Sequence, residues 1–322
     1  MSILSYRNCP NCYYDKPEIL FKLRFDQFIR ENPTHNIKWF NNLGFEDEHE
    51  FLFVKCAKCN FVYSQSRLND DLHYQFYHLG INSTKSYRKI FSAKKKIRHA
   101  KIWINLLSHF SYCSDLIFDL YKRPLKVLDF GAGWGDFLAS IKSPGVKTYG
   151  LEFDNDKIDY ADSIDISIGN LDFIKDNAPY DIFICDQVLE HLDDPKKSLH
   201  DLTYLLNSPS VGYISVPDFN QKRLEKHIRI IKQGKPIIKE INPWGHLNYF
   251  TPVSLREMLF NEGFQEILPY YELVQKPDTT RYRTPFLNAF NAFLKYQFRA
   301  FSVLIDQIYP IKKISTSLYV KK

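Results

Sequence analysis

The run Val127-Leu-Asp-Phe-Gly-Ala-Gly-Trp-Gly-Asp-Phe137 constrains this chain more than any other stretch. Val127 to Phe130 is apolar except for Asp129. Glycines follow at alternate positions, Gly131, Gly133 and Gly135, and a helical pattern begins at Phe137. A short buried strand, a glycine loop and a helix start in that order can hold a nucleotide-like ligand against backbone that only glycine lets come close.

The spacing argues against a dinucleotide. That fingerprint is G-x-G-x-x-G, with a pyrophosphate on the helix N-terminus. Here the spacing is G-x-G-x-G, and Asp129 stands two residues before the first glycine. A carboxylate there would repel a pyrophosphate but suits the ammonium group of an amino-acid ligand. Thr148-Tyr-Gly-Leu-Glu-Phe153 reads as the next strand, and Glu152 falls about 20 residues past the loop, where an acid can accept both ribose hydroxyls. An ammonium site plus a ribose site suits S-adenosylmethionine (SAM).

On these residues the chain resembles the class I SAM-dependent methyltransferases, over roughly Leu125 to Gly263. Val127–Gly135 is similar to the family's first motif and Glu152 to its second. Tyr180–Pro195 resembles the fourth strand with the Leu-Glu-His segment after it, and Val211–Pro217 the fifth strand. Asn242-Pro-Trp-Gly-His-Leu-Asn-Tyr-Phe-Thr-Pro252 resembles a segment of the branch that includes sugar and quinone methyltransferases. The resemblance implies that Asp129, Gly131, Ala132 and Gly133 line the methionine end of SAM and that Glu152 holds the ribose. Phe153 would cover the adenine, Leu171 would contact it after the third strand, and Asp186 would lie near the methionine portion.

Six cysteines are present, four of them paired as Cys9-Pro-Asn-Cys12 and Cys56-Ala-Lys-Cys59. Each short turn can point two sulfurs at one ion, so the pairs suit a tetrahedral thiolate zinc site. Four sulfurs close the shell, which makes such a zinc structural. The gap of about 43 residues between the pairs is long for a zinc finger. It requires a small sheet that brings the knuckles together. Glu50–Tyr63 reads as two strand halves around the second knuckle, and Leu20–Phe28 as another strand. That order resembles the N-terminal zinc module on some sugar methyltransferases.

The chain length, 322 residues, admits one large domain plus a small one. A net charge of +6 is too modest to imply nucleic acid by itself. Met1–Pro10 lacks the apolar core of a signal peptide, and no run approaches the ~20 apolar residues of a membrane span, so a cytoplasmic protein is expected. From Leu125 to about Val274 strands and helices alternate, as in a parallel sheet covered on both faces.

The expected fold is therefore α/β. The resemblance makes it a Rossmann-like, seven-stranded SAM methyltransferase sheet, with a zinc-ribbon-like N-terminal module and a C-terminal helix. The expected parts are a zinc module over 1–80, a helical linker or lid over 81–122, the SAM domain over 123–276, and a Phe-rich helix with a final strand over 277–322. Pro285–Tyr309 carries a wide apolar stripe. Its default is packing on the body or a dimer mate; flanking Lys295, Arg299, Lys312 and Lys313 allow contact with the inner face of a membrane. Lys94-Lys-Lys-Ile-Arg98 reads as a solvated helix face, with an anion or nucleic-acid contact as the other reading.

Methyl transfer from a sulfonium is an in-line displacement, and a hydroxyl acceptor also needs a base. His191, just after the fourth strand, and His246, in a loop before the last helix, are the candidates, with Glu190 ranked below them. His35, His49 and His227 read as isolated surface residues. The leading expectation is methyl transfer to a sugar hydroxyl, nucleotide-linked or in a surface glycan. An RNA methyltransferase gripping its substrate through the zinc module, and a SAM-binding protein without catalysis, are the competing readings.

Overall fold

The computed structural model describes residues 3–26, 49–75, 93–113, 123–233, 241, 245–267 and 315–322. The helix expected over 285–309, together with His35, Pro243 and Trp244, lies outside the described residues. The chain forms two compact units, each drawn from separated stretches. One comprises 1–88, 187–201 and 216–262, and the other 89–186, 202–215 and 263–322.

The second unit holds the mixed seven-stranded sheet. Its strands are β6 (Leu125–Phe130), β7 (Val146–Leu151), β8 (Ile168–Gly169), β9 (Tyr180–Asp186), β10 (Leu206–Pro217), β12 (Gln265–Ile267) and β13 (Ser315–Lys321). They lie in the order β12-β13-β10-β9-β6-β7-β8. β6, β7, β8, β9 and β10 run parallel, while β12 and β13 pair antiparallel. The final run Ser317–Val320, a seventh strand by resemblance alone, is in that sheet.

After β6 the chain builds outward through β7 and β8, then returns to place β9 on the other side of β6. That reversal is a topological switch point, and ligands of such sheets sit in the crevice beyond it. Asp129 on β6 is in register with Gly150 on β7 and Ile184 on β9. Asp181 is 1% exposed at the start of β9. It accepts two 2.7 Å bonds from Arg123 and one each from the Lys126 N–H and Asn207. Together these hold its carboxyl below the usual range despite burial.

After the short helix α1 (Asp70–Gln75), helix α2 (Ala93–Cys113) covers this sheet, burying Ile102, Leu106 and Phe110 in a core with Val127, Ile182 and Ile184. Two short helices follow the first two strands of the motif: α3 (Asp136–Ile141) and α4 (Asn155–Ser163), the latter capped by Asp154.

The first unit holds a four-stranded sheet, in the order β11-β4-β3-β2. Its strands are β2 (Pro17–Arg24), β3 (Glu50–Cys56), β4 (Val62–Ser64) and β11 (Asn248–Tyr249), all paired antiparallel. The two strand halves expected around the second knuckle are β3 and β4. A small ladder joins β1 (Leu4–Tyr6) to β5 (Ser66–Leu68). Helix α6 spans Pro195–Thr203, and helix α7 (Gln221–Lys232), which the sequence reading missed, adds Leu224 and Ile231 to a core with Phe21, Phe53 and Tyr249. His227 on that helix corrects one expectation: it is 2% exposed, bonds the Arg223 carbonyl and stacks on Phe219 at 5.3 Å.

Helix α8 (Pro252–Asn261) begins with a Thr251/Ser254 capping box and Pro252 in its first turn. Gly263 follows its end at φ 84.

Candidate functional site

Each of the glycines of the opening motif has positive φ: 83° at Gly131, 55° at Gly133 and 76° at Gly135. A side chain is strained there. At Gly135 a Cβ would also meet Ile168 at 3.0 Å. At Gly133 it would meet nothing within 4 Å among the described residues, so the loop has open space above it. The N–H groups of Gly131 and Ala132 bond the Leu151 carbonyl at 3.0 and 2.9 Å, which locks the loop onto the end of β7.

Glu152, the residue after β7, faces back over this loop. One of its oxygens accepts the Gly133 N–H at 3.0 Å; the other accepts its own neighbour Phe153 at 2.9 Å and Asp154 at 3.2 Å. A carboxylate offers about four acceptor positions, so these three bonds orient the group and leave about one position, with Lys157 Nζ 3.6 Å from the Gly133-bonded oxygen. Phe153, next in the chain, is 63% exposed. Leu171 opens helix α5 (Leu171–Asp176), capped by Asn170.

Asp129 is 6% exposed. Burial, then the nearby Asp186 and Glu152 carboxylates, push it up to about 8. The three acids therefore crowd one place, the place where the resemblance puts a cationic ligand. Asp186 is held there by Arg98 at 2.6 Å and Ser215 at 2.5 Å. Lys95 pairs with Asp136. Lys95 and Arg98 of the basic run on α2 thus pair with acids around the motif, while Lys95 and Lys96 stay exposed, so the solvated-face expectation holds for these lysines and not for Arg98. Arg98 and Ser215 were missed as site residues. The basic run was visible, but its partners lie far along the chain.

In the other unit, Glu190, His191 and His246 come together. One donor atom from each lies within 4.8 Å of the other two. His191 Nε2 is 3.7 Å from Glu190 Oε1, and the His191 and His246 rings are edge-to-face at 4.8 Å. His191 Nδ1 donates to the Gly245 carbonyl at 2.6 Å. A carbonyl can only accept, so Nε2 bears the lone pair.

The Glu190 carbonyl accepts the N–H groups of Leu247 and Asn248, and the Asn248 amide donates to Leu189 and Leu192. Asn248 belongs to β11, so the segment carrying His246 is anchored to the four-stranded sheet. Burial, with His246 beside it, pushes the His191 imidazole down to about 3, hence neutral at pH 7.

The same unit gathers the four cysteines. Cys9 and Cys59 sulfurs are 3.5 Å apart, as are Cys12 and Cys56, and all four lie within 4.8 Å of one another. Tetrahedral bonds of about 2.3 Å would set neighbouring sulfurs about 3.8 Å apart, so the cluster fits zinc closely. The knuckles are built alike. Tyr13 and Asn60, each four residues after the first cysteine, take φ near 60° and donate to that cysteine's carbonyl.

Arg7 ties the module to the segment carrying His246, donating to Ser64 and Leu247 carbonyls and to the Asn248 side chain. It, too, was invisible in the sequence.

A glycine cradle at a switch point, with an acid on either side of it, defines a nucleotide-type binding domain on a Rossmann-like sheet. A family model described as a methyltransferase domain matches residues 107–268, half of the chain, and the chain belongs to that family. The ubiquinone biosynthesis O-methyltransferase of Erwinia tasmaniensis is 27% identical over 150 residues, 41% of this chain and 62% of that one. Its counterpart in Vibrio atlanticus is 27% identical over 159 residues, 44% and 64%. The matched segment therefore spans less than two thirds of these curated relatives.

Among solved structures, a plantazolicin methyltransferase in complex with SAH aligns at TM-score 0.44 and 14% identity, over 78% of this chain and 93% of that one. A magnesium protoporphyrin IX methyltransferase from Synechocystis aligns at 0.42 and 16%, over 78% and 98%. The family assignment rests on the sequence match, not on these superpositions.

Proposed function

We propose that this chain transfers a methyl group from SAM to a hydroxyl of a small molecule, with a sugar as the acceptor class. The observation that carries the donor half is Glu152, locked to Gly133 across an open glycine loop, with buried Asp129 beside it. SAM supplies an electrophilic methyl on a sulfonium. The residues around the loop bind and orient: Asp129 receives the ammonium group, Glu152 the ribose hydroxyls, and Phe153 and Leu171 flank the adenine. Asp186, held by Arg98 and Ser215, flanks the methionine end.

For the acceptor half, Glu190, His191 and His246 receive the hydroxyl. His191, pushed so low, is a poor store for a proton at neutral pH. The base in this reading is therefore His246, with His191 and Glu190 orienting it. Oxygen is favoured as the atom methylated because the relatives from Erwinia and Vibrio are named O-methyltransferases. The sugar class is supported by the resemblance of the cysteine module and of the segment around His246. The four thiolates hold structural zinc in this reading. The nucleic-acid alternative is weakened, because Lys95 and Arg98 are committed to Asp136 and Asp186.

The test is turnover. Full-length protein with SAM and a panel of nucleotide sugars and catechols should yield SAH and a product heavier by one methylene, resolved by mass spectrometry. SAH formation with catechols alone would replace the sugar class, and none with any hydroxyl acceptor would contradict the reading.

A further inference from the structure

The Glu190, His191 and His246 constellation has the composition of an open metal site: two imidazoles and one carboxylate, leaving positions for further ligands. At bonds of about 2.0–2.2 Å, such donors stand roughly 3–3.5 Å apart around one ion. The present separations, up to 4.8 Å, need only small side-chain rotations to reach that. His191 also has the outer contact that metal-bound imidazoles use. Its Nδ1 donates to a backbone carbonyl, Gly245, and so directs the Nε2 lone pair to the opposite side. Glu190 is 1% exposed, and a dication is the positive charge suited to a carboxylate at that depth. The two segments that carry the donors are fastened by the bonds of Leu247 and Asn248 to the 189–192 turn.

We propose that Glu190, His191 and His246 bind a first-row divalent cation of zinc's class, distinct from the four-thiolate site, and that this cation takes the acceptor's oxygen as a further ligand. The inference rests on the reading of these residues as the hydroxyl site and replaces the histidine base with the cation. Imidazole donors favour such an ion over magnesium or calcium, which prefer all-oxygen shells. Bound to it, the hydroxyl releases its proton to solvent at neutral pH.

The experiment is a metal titration of the full chain, stripped of metal and then given zinc alone, followed by cobalt in a second sample. Two equivalents per chain are expected. Cobalt at one should show thiolate charge-transfer absorption, and cobalt at the other should not. His246→Ala and Glu190→Gln should each keep the thiolate equivalent and weaken the other by about 100-fold or more, with SAH affinity retained as the check on folding. A wild-type protein that binds one equivalent, all of it thiolate-coordinated, overturns the inference. Turnover separates the two ideas. Methylation by a one-metal protein removes the cation and keeps the reading. Two metals without turnover on any hydroxyl acceptor keep the site and remove the reading.

Discussion

Asp129 shows how one side chain can report on a site. Its folded value, about 8, stands above the ordinary 3.8. The native state thus holds a proton that the unfolded chain has lost. Its contribution to stability is complete below about pH 4 and falls as pH rises toward 8. A cationic ligand reverses the preference, because it favours the carboxylate. Binding of SAH at pH 7 should then release about one proton, read by calorimetry in two buffers of different ionisation enthalpy. The release should vanish in Asp129→Asn and at pH 9. Binding with no release by the wild type at pH 7 would place the ammonium elsewhere. Asp129, Glu152 and the four cysteines were legible in sequence because short local spacings carry them. Arg98, Ser215 and Gly245 were not, because their partners are fixed only by tertiary contact.

Strands and helices of the sheet domain were readable because apolar runs alternate with helical periods between Leu125 and Gly263. The Asn248–Tyr249 strand was hidden. It has two residues and its pairing partner, β4, lies far earlier in the chain. Close packing between elements was also hidden. Gly150 on β7 sits where a Cβ would approach the Cβ of Ala132 at 2.6 Å and Ile168 Cγ1 at 2.8 Å. Gly150→Ala should therefore push the glycine loop and β8 away from β7. The expected cost is about 2 kcal/mol in urea unfolding, with SAH affinity falling as well. An unperturbed denaturation midpoint would mean that the loop moves freely at this point.

At the scale of the whole chain, the cysteine-bearing unit takes residues 187–201 and 216–262 from far beyond the N-terminal stretch. A linear reading of the sequence has no means of seeing that. It puts the four sulfurs and the Glu190, His191 and His246 group in one folded unit. If the thiolates hold zinc, Cys56→Ser with Cys59→Ser should remove one zinc equivalent and lower the Tm by about 10 °C, since a closed zinc shell contributes several kcal/mol. Loss of zinc with an unchanged Tm would make the metal dispensable to the fold. Among the described residues, no helix is long and apolar enough to cross a membrane.

The central claim is that the glycine loop and Glu152 bind the methyl donor. Titration calorimetry of SAH into the full chain and into Glu152→Ala tests it most directly. The expected result is 1:1 binding by the wild type, weakened by about 100-fold or more in the variant through lost hydrogen bonds to a charged group. Equal affinity in both proteins, or none in the wild type, would contradict it.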